Sequence, residues 1–232
     1  MTTTADLSSL GVIGAGRIGR AIAVLGRAAG LDVRVAASRP PEQIRAEVEA
    51  AVLGAQAVSV DEAARADIVV LAIPMGRFRQ LPAEALQGAL VVDAMNYWWE
   101  LDGARPDLDD PTTSTSEIVQ AHFAGSRVVK ALGHVSGYAL EELARPAGDP
   151  DRLGMAIAGD DAGDVAAVGA LVDALGFDPV VAGALAEGVR FEPGTELFGA
   201  DAGAGEAREM LARFWQSQRG RVVSRARGGS RP

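Results

Sequence analysis

Residues 14–19 read Gly-Ala-Gly-Arg-Ile-Gly and stand directly between an apolar run, Leu10–Ile13, and a helical pattern, Arg17–Ala29. Glycines at this spacing suit one chemistry, the cradling of a dinucleotide pyrophosphate. Gly14 permits a tight turn, Gly16 lets the backbone approach the phosphates, and Gly19 lets helix and strand pack closely. Unpaired amides at the helix start then favour an anion by roughly 0.3–1 kcal/mol when exposed and up to about 2 kcal/mol when partly buried. In a chain with 28 glycines such a turn can also be a plain joint. The strand before it, the helix after it and a second strand ending about twenty residues on favour a nucleotide.

The end of that second strand discriminates between the nicotinamide coenzymes. An NAD site usually places Asp or Glu there, to accept hydrogen bonds from the ribose 2′-hydroxyl. This chain has Ala37-Ser38-Arg39, with Asp32 ahead of the strand. A hydroxyl and a guanidinium thus stand where a 2′-phosphate would sit, and Arg grips phosphate through two donors. The residues point to NADP; the alternative is that Arg39 is a solvated loop residue.

Six further positions follow later strands. Ala72, Ile73 and Pro74 either wall a nicotinamide pocket or simply end a strand at a proline. Ala94 and Asn96 join the coenzyme candidates; Asn96 can hydrogen-bond the coenzyme amide or cap a turn. His134, in "ALGHVSG", is the one candidate proton donor, with a satisfied structural histidine as the alternative. Hydride transfer needs aligned carbons and exclusion of water more than a strong acid or base.

These residues must be held by a sheet. Apolar runs at Leu10–Ile13, Val33–Ala37, Ala57–Ser59, Ile68–Ile73, Leu90–Asp93 and Val128–Leu132 read as strands covered on both faces. Helices are expected at Arg17–Ala29, Pro41–Leu53, Asp61–Ala66 with Asp61 as N-cap, Phe78–Leu86 and Thr115–Phe123. The alternation predicts an α/β Rossmann domain, a doubly wound parallel sheet, over residues 1–145. A short helix, Gly137–Leu143, precedes the break "RPAGDPD". A strand at Gly154–Ala158, a helix at Asp161–Leu175, a strand at Asp178–Val181 and a last helix near Gly205–Trp215 then suggest a small C-terminal α/β cap over 146–218. Residues 219–232, Arg-rich among Gly and Ser, read as a flexible basic tail. The stretch from Tyr97 to Pro111, aromatic and then acidic, breaks the alternation at the ligand edge of the sheet and reads as a functional loop.

Composition narrows the classes. A net charge of −9 argues against nucleic acid and anionic membranes as partners. The chain has no cysteine and only His122 and His134, so no metal site is expected. The opening "MTTTADLSSL" lacks the basic and apolar pattern of a signal peptide, and no run is long enough to span a bilayer; the expected location is cytoplasmic.

Several stretches, in order, carry a resemblance: "GVIGAGRIGRAIA", "VRVAASR", "VVDAMNYWW", "VVKALGH", "AIAGDDA", "LVDALGFDPVVAG" and "FEPGTELFG". Together they resemble the NADP-dependent oxidoreductases that work with coenzyme F420, a deazaflavin, a family related to the cytosolic domains of ferric reductases. The resemblance implies hydride exchange between NADPH and a second redox cofactor, F420 or a flavin such as FMN or FAD, in a homodimer. It places Gly14, Ala15, Gly16, Arg17 and Ile18 on the pyrophosphate, Ser38 and Arg39 on the 2′-phosphate, and Ala72, Ile73 and Pro74 along the nicotinamide. Tyr97, Trp98 and Ser136 are the candidates for the acceptor side, where Trp98 can stack on a flavin-like ring or pack against the cap. The bulky acidic insert from Tyr97 departs from the family pattern.

Two rival functions remain. An NADP-dependent dehydrogenase of a small carbonyl or imine substrate shares the Rossmann start, but such enzymes need a long helical second domain, commonly with a catalytic lysine; Lys130, the only lysine, lies inside the sixth strand. A binding module that senses NADP(H) without turnover is the other.

Overall fold

The computed structural model describes residues 7–228. The first six residues of the opening stretch and the last four of the basic tail lie outside them. Among the described residues eight strands form one sheet: β1 (Ser9–Ile13), β2 (Asp32–Ala36), β3 (Gln56–Ala57), β4 (Ile68–Leu71), β5 (Leu90–Asp93), β6 (Arg127–Lys130), β7 (Gly154–Gly159) and β8 (Asp178–Gly183). Their order is β3-β2-β1-β4-β5-β6-β7-β8. The first six are parallel and doubly wound, with the order of pairing reversing between β1 and β4. Helices α1 (Arg17–Ala28), α2 (Pro41–Ala51), α3 (Val60–Ala63), α4 (Trp99–Asp102), α5 (Thr115–His122), α6 (Gly137–Glu142), α7 (Ala162–Ala174), α8 (Ala204–Arg213) and α9 (Gln218–Ala226) complete the fold. No helix among the described residues is long and apolar enough to cross a membrane.

The unbroken apolar runs have a direct structural cause. Successive strand residues point to opposite faces, and both faces are covered. Leu10, Val12, Ile68, Val70, Leu90 and Val92 pack into one core with α1, α2 and α7. Ile13, Val69, Leu71 and Val91 pack into a second core with Phe78 and Phe123. Each such side chain contributes roughly 1.5–3 kcal/mol when fully buried, so a polar residue at either set of positions is strongly disfavoured.

Several elements differ from expectation. Helix Phe78–Leu86 is instead two 3-10 segments, Met75–Gln80 and Ala83–Leu86. Pro82 between them has no N–H to continue a helix, and buried Met75 and Phe78 anchor the first segment. The N-cap of α3 is Ser59 rather than Asp61: Ser59 and Glu62 exchange side-chain and backbone hydrogen bonds in a capping box. The C-terminal strands form no sheet of their own. β7 joins β6 antiparallel through Val129↔Gly159 and Lys130↔Ala158, and β8 extends the same sheet. The basic tail begins as a helix, α9, whose Gly220 and Val223 are buried.

A buried charge network holds α9 in place. The Glu192 carboxylate accepts hydrogen bonds from the Thr115 amide (2.7 Å), the Ser114 and Thr115 hydroxyls (both 3.0 Å) and the Arg219 guanidinium (2.7 Å). Lys130 Nζ stands 4.0 Å away, and both its side chain and that of Glu192 are almost wholly buried. Burial alone would raise the Glu192 pKa, but Lys130, Arg219 and the Thr115 amide outweigh it and hold the carboxylate below its usual range. Removing one partner of a buried pair leaves an uncompensated charge. Glu192→Gln is expected to lower stability by about 3 kcal/mol, read as a fall in the urea midpoint; an unchanged midpoint would contradict this reading of the network.

Candidate functional site

The site grows out of the joint between β1 and α1. Gly14 has φ +127°, and a Cβ there would lie 2.3 Å from the Ala72 carbonyl oxygen. A Cβ on Gly19 would lie 1.8 Å from the Gly14 carbonyl oxygen. Side chains at either position would therefore push α1 away from the ends of β1 and β4. Gly16 differs, because nothing lies within 4 Å of where its Cβ would be. It is the N-cap of α1, makes no side-chain hydrogen bond, and no acidic residue occupies the first turn. The opening amides of α1 thus face open space with their partial positive charge unopposed from within the helix.

From Gly16 a cleft runs both ways along the carboxyl edge of the sheet. One half, about 590 Å³, is bordered by Gly14, Ala15 and Gly16, by Ala37, Ser38 and Arg39 beyond β2, and by Ile73, Arg77 and Leu81. Arg39 pairs with Glu47 of α2 through two bonds of 2.9 and 2.5 Å. Both side chains are about half exposed. An ion pair in that setting contributes little, so the guanidinium can exchange Glu47 for another anion.

The other half, also about 590 Å³, is bordered by Arg17 and Ile18, by Ala72, Ile73 and Pro74 beyond β4, by Ala94, Met95 and Asn96 beyond β5, and by Trp98, Leu101 and Asp102. The buried Asp93 carboxylate fixes the turn after β5, accepting from the Met95 amide (2.9 Å) and the Ser116 hydroxyl (2.6 Å). Asn96 donates to the Gly133 carbonyl oxygen at 2.6 Å, while its own Oδ1 is buried without a partner. That orphaned acceptor fits a ligand N–H. Just ahead of Gly133, buried Leu132 has φ +63°, a conformation uncommon outside glycine, which marks the loop as constrained.

The insert from Tyr97 is an ordered strap. Asp102 accepts from the Gly76 amide (2.8 Å) and the Trp98 amide (3.0 Å), and Arg105 donates to the Gly76 carbonyl oxygen (2.8 Å). Asp107 bridges Arg105 and Arg79, and the Arg105 hydrogen bond is the chief cause that lowers its pKa to about 2. Trp98 borders the cleft with its ring edge-on to Phe198, 5.5 Å between centroids. The Tyr97 hydroxyl donates to the Gly103 carbonyl oxygen and accepts from the Arg105 amide, so it serves the strap itself. Ser136 caps α6 by accepting from the Ala139 amide at 3.0 Å. Neither Tyr97 nor Ser136 borders either half of the cleft.

His134 also departs from the expected role. It is wholly buried, its Nε2 accepts from the Ala156 amide of β7 at 2.9 Å, and its ring packs edge-on against Phe191. Burial, reinforced by Lys130, lowers its pKa to about 4. A neutral imidazole spent on a backbone amide joins the loop after β6 to β7; it does not face the cleft as a proton donor. In contrast Arg77, Met95, Leu101 and Asp102 border the cleft without having been anticipated. Arg77 precedes the expected helix start at Phe78 and belongs to the 3-10 segment that begins at Met75.

Residues 9–97 match the model of the family described as NADP oxidoreductase, coenzyme F420-dependent. This is the family that the sequence resembles, and the matched segment runs from β1 through Asn96 to the start of the strap. Among solved structures, the hypothetical protein SMa0349 of Sinorhizobium meliloti is 28% identical with a TM-score of 0.73, over 83% of this chain and 94% of that one. A protein of Arthrobacter sp. FB24, provisionally assigned as an F420-dependent NADP reductase, has a TM-score of 0.65 at 23% identity, over 95% of each chain. A reductive aminase of Aspergillus terreus, solved with NADPH and ethyl levulinate, shares the fold at 14% identity and a TM-score of 0.55, over 90% of this chain but 61% of its own. No curated protein matches the chain.

The placement of His134 yields a pH signature. Its folded pKa, about 4, lies below the ordinary 6.5, so between these values the unfolded chain binds the proton that the folded chain refuses. This contribution is complete above the upper value and is lost as pH falls through the window, by on the order of 3 kcal/mol in all. Urea unfolding of wild type against His134→Gln across that window is expected to give a steeper acid loss for wild type; parallel curves would contradict it.

Proposed function

We propose that the protein binds NADP(H) in the cleft and exchanges a hydride between it and a planar redox acceptor, coenzyme F420 or a flavin. The observation that carries the reading is the sharing of one cleft by three groups. These are the uncapped start of α1 at Gly16, the Ser38-Arg39 pair beyond β2, and Asn96 with its unpartnered Oδ1 beyond β5. They match, in order, a pyrophosphate, a 2′-phosphate and a carboxamide N–H. The family match over residues 9–97 supports the same reading.

When bound, NADPH supplies the hydride. The chain's residues then have separable tasks. The α1 amides and Gly16 hold the pyrophosphate, and Arg39 exchanges Glu47 for the 2′-phosphate while Ser38 adds a hydroxyl donor. Asn96, oriented by the Gly133 carbonyl, accepts from the carboxamide. Ala72, Ile73 and Pro74 make an apolar wall that keeps water from the transferring carbon. Trp98 offers an aromatic edge to the acceptor across the mouth. No side-chain acid is required, which agrees with the burial of His134.

A charge-assisted phosphate contact contributes on the order of 1.5–3 kcal/mol, so Arg39→Ala is expected to raise the NADPH KM by roughly 10- to 100-fold and leave that for NADH nearly unchanged. Equal losses for both coenzymes would overturn the 2′-phosphate assignment. Following NADPH absorbance with F420, FMN or FAD added separately tests the reaction itself. Decay with one of them is expected; tight NADPH binding with no acceptor reduced would instead favour an NADP(H)-sensing module.

A further inference from the structure

We infer that Arg77 is a pyrophosphate clamp, a binding residue that closes over the coenzyme at the waist of the cleft. The inference rests on the coenzyme reading above and adds to it a residue that neither the glycine motif nor the 2′-phosphate pair contains.

Three observations carry it. The two halves of the cleft share Gly16 on one side and the segment Ala72 to Pro74 with Arg77 on the other, so Arg77 is the charged side chain at the point where the halves meet. A dinucleotide lying along the cleft has its pyrophosphate at that joint, beside the opening amides of α1.

The second observation concerns charge. Arg17 is paired with Glu141, Arg39 with Glu47, and Arg79 and Arg105 with Asp107. Among the described residues Arg77 makes no ion pair and no side-chain hydrogen bond, although it sits in a chain of net charge −9. A guanidinium without a partner that borders the same cleft as the uncapped amides of α1 supplies the second side of an anion site, and a guanidinium matches phosphate oxygens through parallel N–H donors.

The third is rigidity. Arg77 lies in the 3-10 turn Met75–Gln80, between Met75 and Phe78, whose side chains are fully buried. The Arg77 amide donates to the Pro74 carbonyl oxygen at 2.9 Å. Gly76 is held from the other side by Asp102 and Arg105 of the strap. The Arg77 backbone is therefore fixed before any ligand arrives, and ordering the residue costs only its side-chain freedom.

Pyrophosphate is common to NADPH and NADH, which separates this role from that of Arg39. Coenzyme fluorescence titrations of wild type, Arg77→Ala and Arg77→Lys provide the test. Arg77→Ala is expected to weaken NADPH and NADH by the same factor, roughly 10-fold or more, with Arg77→Lys recovering part of the loss and the melting temperature unchanged. A loss confined to NADPH would move Arg77 to the 2′-phosphate and overturn the clamp; no loss for either coenzyme would overturn it outright. If wild type binds neither coenzyme, the coenzyme reading itself fails, an outcome distinct from either.

Discussion

The close approach of three backbone segments governs this site. The end of β1, the first turn of α1 and the end of β4 meet so tightly that a single methylene at Gly14 or Gly19 would overlap a carbonyl oxygen. Because they meet, the first amides of α1 open beside Ala72 and Ile73, at the switch point where an open α/β sheet leaves a crevice. The space in front of Gly16 is a consequence of that contact, since the backbone that would fill it is drawn back against β1.

The rest of the molecule keeps that crevice in shape. The two apolar cores clamp the sheet from both sides, and β7 and β8 widen it beyond β6. His134 spends its ring on the seam between the loop after β6 and β7, and Leu132 takes a strained conformation in the same loop. One result is that the Gly133 carbonyl meets Asn96 and leaves the Asn96 Oδ1 free. The strap from Tyr97 to Asp107 is tied to the 75–80 turn by Asp102, Arg105 and Arg79, so the wall bearing Arg77 and the wall bearing Trp98 form one connected piece.

Much of this was legible in the sequence because the signals are local. Uninterrupted apolar runs report strands covered on both faces, and the glycine spacing reports the tight joint. The capping box of α3 was written as Ser59-Val60-Asp61-Glu62, yet the eye goes to Asp61, which caps nothing. Other features depend on partners distant in the chain. Arg219 looks like one arginine of a solvated tail until Glu192 is found beneath it. His134 falls at the ligand edge by position, and only the crossing of β7 shows it to be buried. Arg77 lies outside the apparent helix Phe78–Leu86, whose place is taken by two short 3-10 segments around Pro82, the first of which begins earlier, at Met75.

In the proposed function NADP(H) lies in one continuous cleft, from Arg39 across Gly16 and Arg77 to Asn96. Amide hydrogen exchange with and without NADP+ tests it most directly, because it reports position along the chain without requiring the acceptor to be known. Slowed exchange is expected at the start of α1, in the 75–80 turn and around residues 94–96, with no change in β8 or α9. Protection that is absent from the α1 start, or concentrated in the C-terminal elements, would contradict it.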